Sequence, residues 1–236
     1  MKNVSQCNVA LVFLKRLLYY IKYELQDIKK GEMNMENTMG RNKDIFIRPA
    51  TLEDAQKLLD IYGYYVENTA ITYEYDIPAL EEFQNRMQHI MNTYPYLVAL
   101  VEDQIVGYEY ASQYHTRAAY GWNAEMTIYL DHDQCGNGVG RKLYTLLEQI
   151  LKEQGIVKAV ALITPPGKNA EESVYPSMHF HEKMGYQLAG CMRNSGYKFD
   201  KWFDTITMDK QIGIASSPMT VIKPFESVRK KFFEET

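Results

Sequence analysis

Residues 124–155, "AEMTIYLDHDQCGNGVGRKLYTLLEQILKEQG", constrain the fold more than any other stretch of this chain. "AEMTIYLD" has the apolar and β-branched content of a strand, whereas "GRKLYTLLEQILKEQG" carries Leu143, Leu146, Leu147, Ile150 and Leu151 at helical spacing and closes on Gly155. Between them Gly136, Gly138 and Gly140 leave the backbone bare. A glycine-rich turn from a strand into a helix presents unpaired N–H groups at the positive end of the helix dipole, a ready seat for phosphate oxygens. Arg141 and Lys142 add local positive charge, and glycine permits close approach and positive φ.

Around this unit the same reasoning gives a full element order. Residues 45–48 alternate like a short strand, and Thr51 with Asp54 forms a capping-box-like start to a helix carrying Ala55, Leu58, Leu59, Ile61 and Tyr62. A second helix begins near Pro78 and runs through "ALEEFQNRMQHIM". "YLVALVEDQIVGYEYASQY" reads as a hairpin turning at Asp103-Gln104. After the glycine unit come the strand "VKAVALIT", the short helix "SMHFHEKMG" ended by Gly185, and a final pair of strands turning near Asp200-Lys201. The order β-α-α-β-β-β-α-β-α-β-β belongs to an α/β sheet of mixed direction flanked by helices.

The organisation expected is a folded domain over 44–210, preceded by residues 1–43 and followed by a C-terminal extension, 211–236, in which Ile222, Phe225 and Phe232 require burial. In the first segment Leu11, Leu14, Leu18, Ile21, Leu25 and Ile28 form the seam of an amphipathic helix ended at Gly31. Three readings of it stay open: an appendage packed on its own domain, a docking or dimerisation helix, or a non-native start with translation beginning at Met33, Met35 or Met39. Its apolar run, interrupted by Lys15 and Arg16, is too short to span a bilayer and lacks a secretory cleavage site, so a cytoplasmic protein without a membrane role is expected. The formal charge of −4 gives no broad attraction to nucleic acid or anionic lipid, and any anionic ligand must be held locally. Three cysteines without CxxC spacing imply neither a disulfide framework nor a zinc site. No metal is expected.

The glycine spacing separates the nucleotide-binding possibilities. GxGxxG belongs near the front of a βαβ unit, yet here the glycines follow a hairpin in mid-domain; a Walker A loop needs Lys and then Ser or Thr after its last fixed Gly, and Gly140 is followed by Arg-Lys-Leu. The remaining pattern, [QR]xxGxG after a strand, resembles the pyrophosphate loop of the GNAT acetyltransferases. The blocks "VENTAITYEY", "YPYLVALVEDQIVGYEYASQYHTRAAYGWNAEMTIYL", "SMHFHEKMGY" and "GYKFDKWFD" resemble the phosphinothricin N-acetyltransferase group of that superfamily over most of the domain, with R-x-A-Y-x-W-x-A-E the most specific run.

The resemblance implies the GNAT fold, here with an extra N-terminal amphipathic helix, and acetyl-CoA as co-substrate. Its pyrophosphate would lie on the loop at Cys135, Gly136, Asn137, Gly138, Val139, Gly140 and Arg141, and its pantetheine arm along Ile128, Tyr129 and Leu130. Two positions depart from the family: Cys135 stands where Gln or Arg is usual, and Val174 where an Asn precedes Ser177 by three residues, with Asn169 the candidate replacement. Glu125 would be the general base that deprotonates the acceptor ammonium, a strand-end cap being its structural alternative. His181 would protonate the leaving thiolate, with a purely packing role equally open. Arg117 suits an amino-acid carboxylate through two parallel hydrogen bonds, and Tyr73, Tyr120 and Trp122 would wall the acceptor pocket. The expected partner is a small amino-acid-like amine in a homodimeric enzyme. A sensor that keeps the acyl-CoA site, and an acetyltransferase acting on a protein N-terminus or a polyamine, are the competing readings.

Overall fold

A computed structural model of the chain describes residues 44–134, 137–165 and 176–233. The N-terminal helix, Cys135, Gly136, Asn169 and the departure at Val174 lie outside the described residues. The strands are β1 (Ile45–Pro49), β2 (Tyr96–Val101), β3 (Gln104–Gln113), β4 (Asn123–Leu130), β5 (Lys158–Ile163), β6 (Gln187–Lys198) and β7 (Lys201–Gln211). The helices are α1 (Ala55–Asn68), α2 (Leu80–Met91), α3 (Val139–Gln154), α4 (Pro176–Lys183) and a short α5 (Phe225–Val228). Apart from α5, this is the order expected from the sequence.

Local chemistry accounts for the boundaries. Asp54 accepts the Thr51 amide at 2.8 Å and grips Arg48 with both carboxylate oxygens, so the turn into α1 is tied to β1. Glu102 and Asp103 take positive φ in the β2–β3 turn, as Phe199 and Asp200 do between β6 and β7; both hairpins turn one residue earlier than the sequence suggests. Gly155 closes α3 at φ 96°.

The strands form a mixed sheet in the order β1-β2-β3-β4-β5-β7-β6. Every pairing is antiparallel except β4 with β5, the pair joined by the long crossover through α3. Leu97 and Ala99 of β2 face the core under α3, and Tyr96 and Val98 face the core under α1 and α2, which is why "YLVALV" has no polar position. A bulge pairs Ala99 with Gly107 but Leu100 with Ile105, so Val106 turns to the α3 side while Tyr108 turns to the other. Leu143, Leu147, Ile150 and Leu151 are fully buried beneath α3.

The C-terminal stretch, expected to be an extension, forms one compact unit with the rest of Asp44–Thr236. Phe225 and Val228 enter the α3-side core, and the Gln154 amide donates to the Thr93 and Lys223 carbonyls, stitching α3 to both.

Candidate active site

β4 and β5 pair only at Asn123, Ala124 and Glu125 against Lys158, Ala159 and Val160. β3 continues beside β4 to Leu130, and β7 beside β5 to Ile163. Beyond Glu125 the two parallel strands therefore part, and the inner edge of β4 carries peptide groups that no strand uses. The wedge is held open from the helix side, where Gly140 brings α3 against the Ile128 and Phe180 side chains. A cavity of about 640 Å³ occupies it, with Thr127, Ile128 and Tyr129 on one wall and Leu162, Thr164, Thr205 and Thr207 on the other.

Glu125 stands at the vertex, the last residue before the strands diverge, and its half-buried carboxylate lines the cavity. Burial raises its pKa above the ordinary 4.5. Tyr110 shares that wall; its phenol is pushed up to about 12, chiefly by burial, with a Thr127 hydrogen bond opposing and the Glu125 carboxylate adding to the rise. Among the described residues, those lining the cavity near Glu125 carry phenols and hydroxyls, and no lysine or arginine is among them.

On the helix side His181 is 4% exposed and wedged between two partners. Its Nδ1 lies 2.6 Å from the Ser177 carbonyl and must carry the proton; Nε2 then accepts from the Tyr144 hydroxyl, also at 2.6 Å. Burial lowers the His181 pKa and raises that of Tyr144, so both groups are neutral. Behind them Glu109 is fully buried, neither of its carboxyl oxygens has a hydrogen-bond partner among the described residues, and burial with the Glu148 charge behind it holds its pKa well above the usual range.

At the mouth of the wedge Gly138 takes φ 81°, and a side chain there would meet nothing within 4 Å. The first bond of the α3 ladder runs from the Lys142 amide to the Gly138 carbonyl, leaving the amides of Val139, Gly140 and Arg141 in the turn whose N–H groups have no partner within the helix. Such a bare, positively polarised turn opening on an unpaired strand edge fits a pyrophosphate carrying a long acyl-bearing arm. On the same turn region Asp131, His132 and Asp133 converge within 4.8 Å of one another, all at least partly exposed, with Tyr64 stacked on the imidazole.

A family profile described as "Acetyltransferase (GNAT) domain" matches residues 47–207. The chain belongs to the GNAT acetyltransferases. This GNAT chain is 31% identical over 179 residues to the phosphinothricin N-acetyltransferase of Streptomyces viridochromogenes, covering 76% of this chain and 94% of that one. It is 29% identical over 167 residues to the L-methionine sulfoximine/L-methionine sulfone acetyltransferase of Pseudomonas aeruginosa, covering 69% and 91%. The crystal structure of a GNAT superfamily phosphinothricin acetyltransferase from Sinorhizobium meliloti in complex with AcCoA superposes with a TM-score of 0.69 at 31% identity, over 77% of this chain and 96% of that one.

Within the GNAT domain the residues singled out from sequence fall into three groups. Glu125, Ile128, Tyr129, His181, Ser177 and Tyr73 line the cavity. Asn137, Gly138, Val139, Gly140 and Arg141 form the described part of the glycine turn, and Leu130 ends β4, its carbonyl accepting the Tyr65 hydroxyl at 2.6 Å. Arg117, Tyr120 and Trp122 are not among the lining residues. Trp122 donates its indole N–H to the Thr220 carbonyl and Tyr120 packs edge-on against His115, while Arg117 is exposed on the turn between them. Tyr110, Tyr144, Thr205 and Thr207 also line the cavity and carry no separate sign in the sequence. Tyr144 sits beside Leu143 and Leu147 on an apolar seam and reads as core; a buried hydroxyl needing a partner was the only available signal.

Proposed function

We propose that this GNAT enzyme transfers the acetyl group of acetyl-CoA to the amine of a small amino acid or analogue of the phosphinothricin or methionine sulfoximine type. The observation that carries the reading is Glu125, a half-buried carboxylate with its pKa raised by burial, at the vertex where β4 and β5 part, facing an aromatic and hydroxyl-lined cavity. The names borne by the relatives support the acceptor class.

The amides of Val139, Gly140 and Arg141 would hold the pyrophosphate, and the unpaired edge of β4 would hold the pantetheine arm. Acetyl-CoA supplies an acyl group activated as a thioester. Glu125, with its affinity for protons raised by burial, takes the proton from the acceptor ammonium, freeing a lone pair for attack. Peptide N–H groups along β4 supply hydrogen bonds where negative charge develops. The Tyr144 hydroxyl, which lines the cavity, would return a proton to the released thiolate, with His181 Nε2 fixing its direction in the resting site. Tyr73, Tyr110 and Tyr114 give the acceptor side an apolar body with polar tips, and Arg117, two residues beyond the lining His115, would reach an acceptor carboxylate from the rim.

Release of free thiol from acetyl-CoA, measured against phosphinothricin, methionine sulfoximine, methionine sulfone, common amino acids, polyamines and a peptide, tests the reading. Turnover confined to the small amino-acid-like acceptors is expected, with Arg117→Ala raising their KM. Turnover of polyamines or the peptide alone would overturn the acceptor class.

A further inference from the structure

Lys198, near the end of β6, is 2% exposed, and its three ammonium protons point at three backbone carbonyls: Val66 at 2.6 Å, Thr69 at 2.9 Å and Thr72 at 3.0 Å. Val66 lies in the last turn of α1, whose carbonyls have no partner within the helix, and a cation belongs at that negative end of the dipole. Thr69 and Thr72 lie in the segment that leaves α1 and supplies Ile71, Thr72 and Tyr73 to the cavity. One buried ammonium therefore gathers the end of a helix and the loop that forms the cavity's wall.

Two further ties act on the same loop. Tyr75 donates to the Tyr197 carbonyl at 2.8 Å, and Tyr73 donates to the Asp204 carbonyl at 3.2 Å. The Tyr73 ring lies directly against Gly196 of β6, so close that a side chain on Gly196 would overlap three ring atoms. The loop is thus fastened to the β6–β7 hairpin at residues 69, 72, 73 and 75, and only glycine at position 196 leaves room for the ring.

We propose that Lys198 and Gly196 are positioning residues that set the acceptor side of the cavity, holding residues 69–75 against β6 so that Tyr73 stands at a fixed distance from Glu125. Neither touches the region around α3 where acetyl-CoA is read to bind, so their effect falls on one substrate. This inference rests on the acetyltransferase reading for its kinetic signature but not for its structural one.

The experiment pairs steady-state kinetics with amide hydrogen exchange on Lys198→Met and Gly196→Ala. Misplacement of a substrate-positioning wall is expected to raise the acceptor KM roughly ten- to a hundred-fold while the acetyl-CoA KM stays within about two-fold. Exchange over residues 69–75 should accelerate with exchange in α3 unchanged. Equal changes in both KM values, or an acceptor KM within about two-fold of wild type in both variants, would overturn the proposal. Should Lys198→Met fail to fold, Gly196→Ala carries the test, since it adds one methyl group against the Tyr73 ring and leaves the Lys198 ammonium and its three carbonyls in place. If no acceptor is acetylated by the wild type, unaltered exchange over 69–75 defeats this inference, while faster exchange upholds the latch and leaves only the acceptor assignment in error.

Discussion

One wall of the cavity comes largely from one stretch of chain: Glu125 to Tyr129 of β4, with Tyr110 paired beside them on β3 and Tyr144 following on α3 after the glycine turn. The opposite wall collects Tyr73 from the loop after α1, Tyr114 from the exit of β3, Met192 from β6, and Thr205 and Thr207 from β7. The first wall is built on a strand that runs through a turn into a helix, and the helix's first N–H groups have no partner within it. The second exists only after distant segments dock, and it is held by devices such as the three carbonyls around Lys198. A common chemical step is thereby tied to a local motif, and the choice of acceptor to long-range packing that can vary without disturbing it.

Glu125 belongs to both walls, so its loss should have the largest effect. Glu125→Gln is expected to lower kcat/KM by about 10²–10⁴. Because the free carboxylate is the active form and burial raises its pKa, activity of the wild type should climb as pH rises through a value above 4.5, and this limb should vanish in the variant. A retained acid limb would move the base elsewhere.

Next, Tyr144→Phe should cut kcat by about a hundred-fold and leave both KM values near wild type, locating the proton source on the continuous wall. A change confined to the acceptor KM would instead assign Tyr144 to the other side. Gly138→Ala sharpens the comparison from the turn: nothing crowds the added methyl, so the penalty is the φ of 81° alone, about 1–2 kcal/mol. The acetyl-CoA KM should rise several-fold with the acceptor KM unchanged, the mirror image of Lys198→Met.

The smallest effect is a slope. His181 is buried neutral with its pKa lowered from 6.5, so the unfolded chain binds a proton that the native state refuses. Its contribution is present in full above about pH 6.5 and is lost as pH falls toward the native value, by at most ~1.4 kcal/mol per pH unit. Denaturant unfolding of wild type and His181→Phe at pH 7.5 and 5.5 checks this, and identical slopes would mean that the imidazole is hydrated in the native protein.

The parts of the site that could be read from residues were those whose function is local. Gly136, Gly138 and Gly140 followed by Arg141 and Lys142 mark a candidate anion seat, and the apolar seam of α3 declares which face is buried. Alternation and turn residues also fixed the order of the elements, since hydrogen bonds within a helix or hairpin join near neighbours. Glu125 was legible through the long run of residues that accompanies it, not through its own chemistry.

The tertiary structure decided what depends on residues far apart in the chain. Trp122 and Tyr120 look like pocket aromatics in a linear motif, yet Trp122 is committed to the Thr220 carbonyl and Tyr120 to His115. His181 was legible as a histidine near neutral pKa; only its burial between Ser177 and Tyr144 assigns the tautomer and leaves the movable proton on the phenol. Lys198 would be taken for a surface lysine in "GYKFDKWFD", and nothing in that run hints that Val66, Thr69 and Thr72 will surround it. The physical reason is common to all three. A local motif is set by steric and hydrogen-bonding rules between near neighbours, whereas burial, partner and charge state are set by whichever distant segment the packing of the sheet and helices brings alongside.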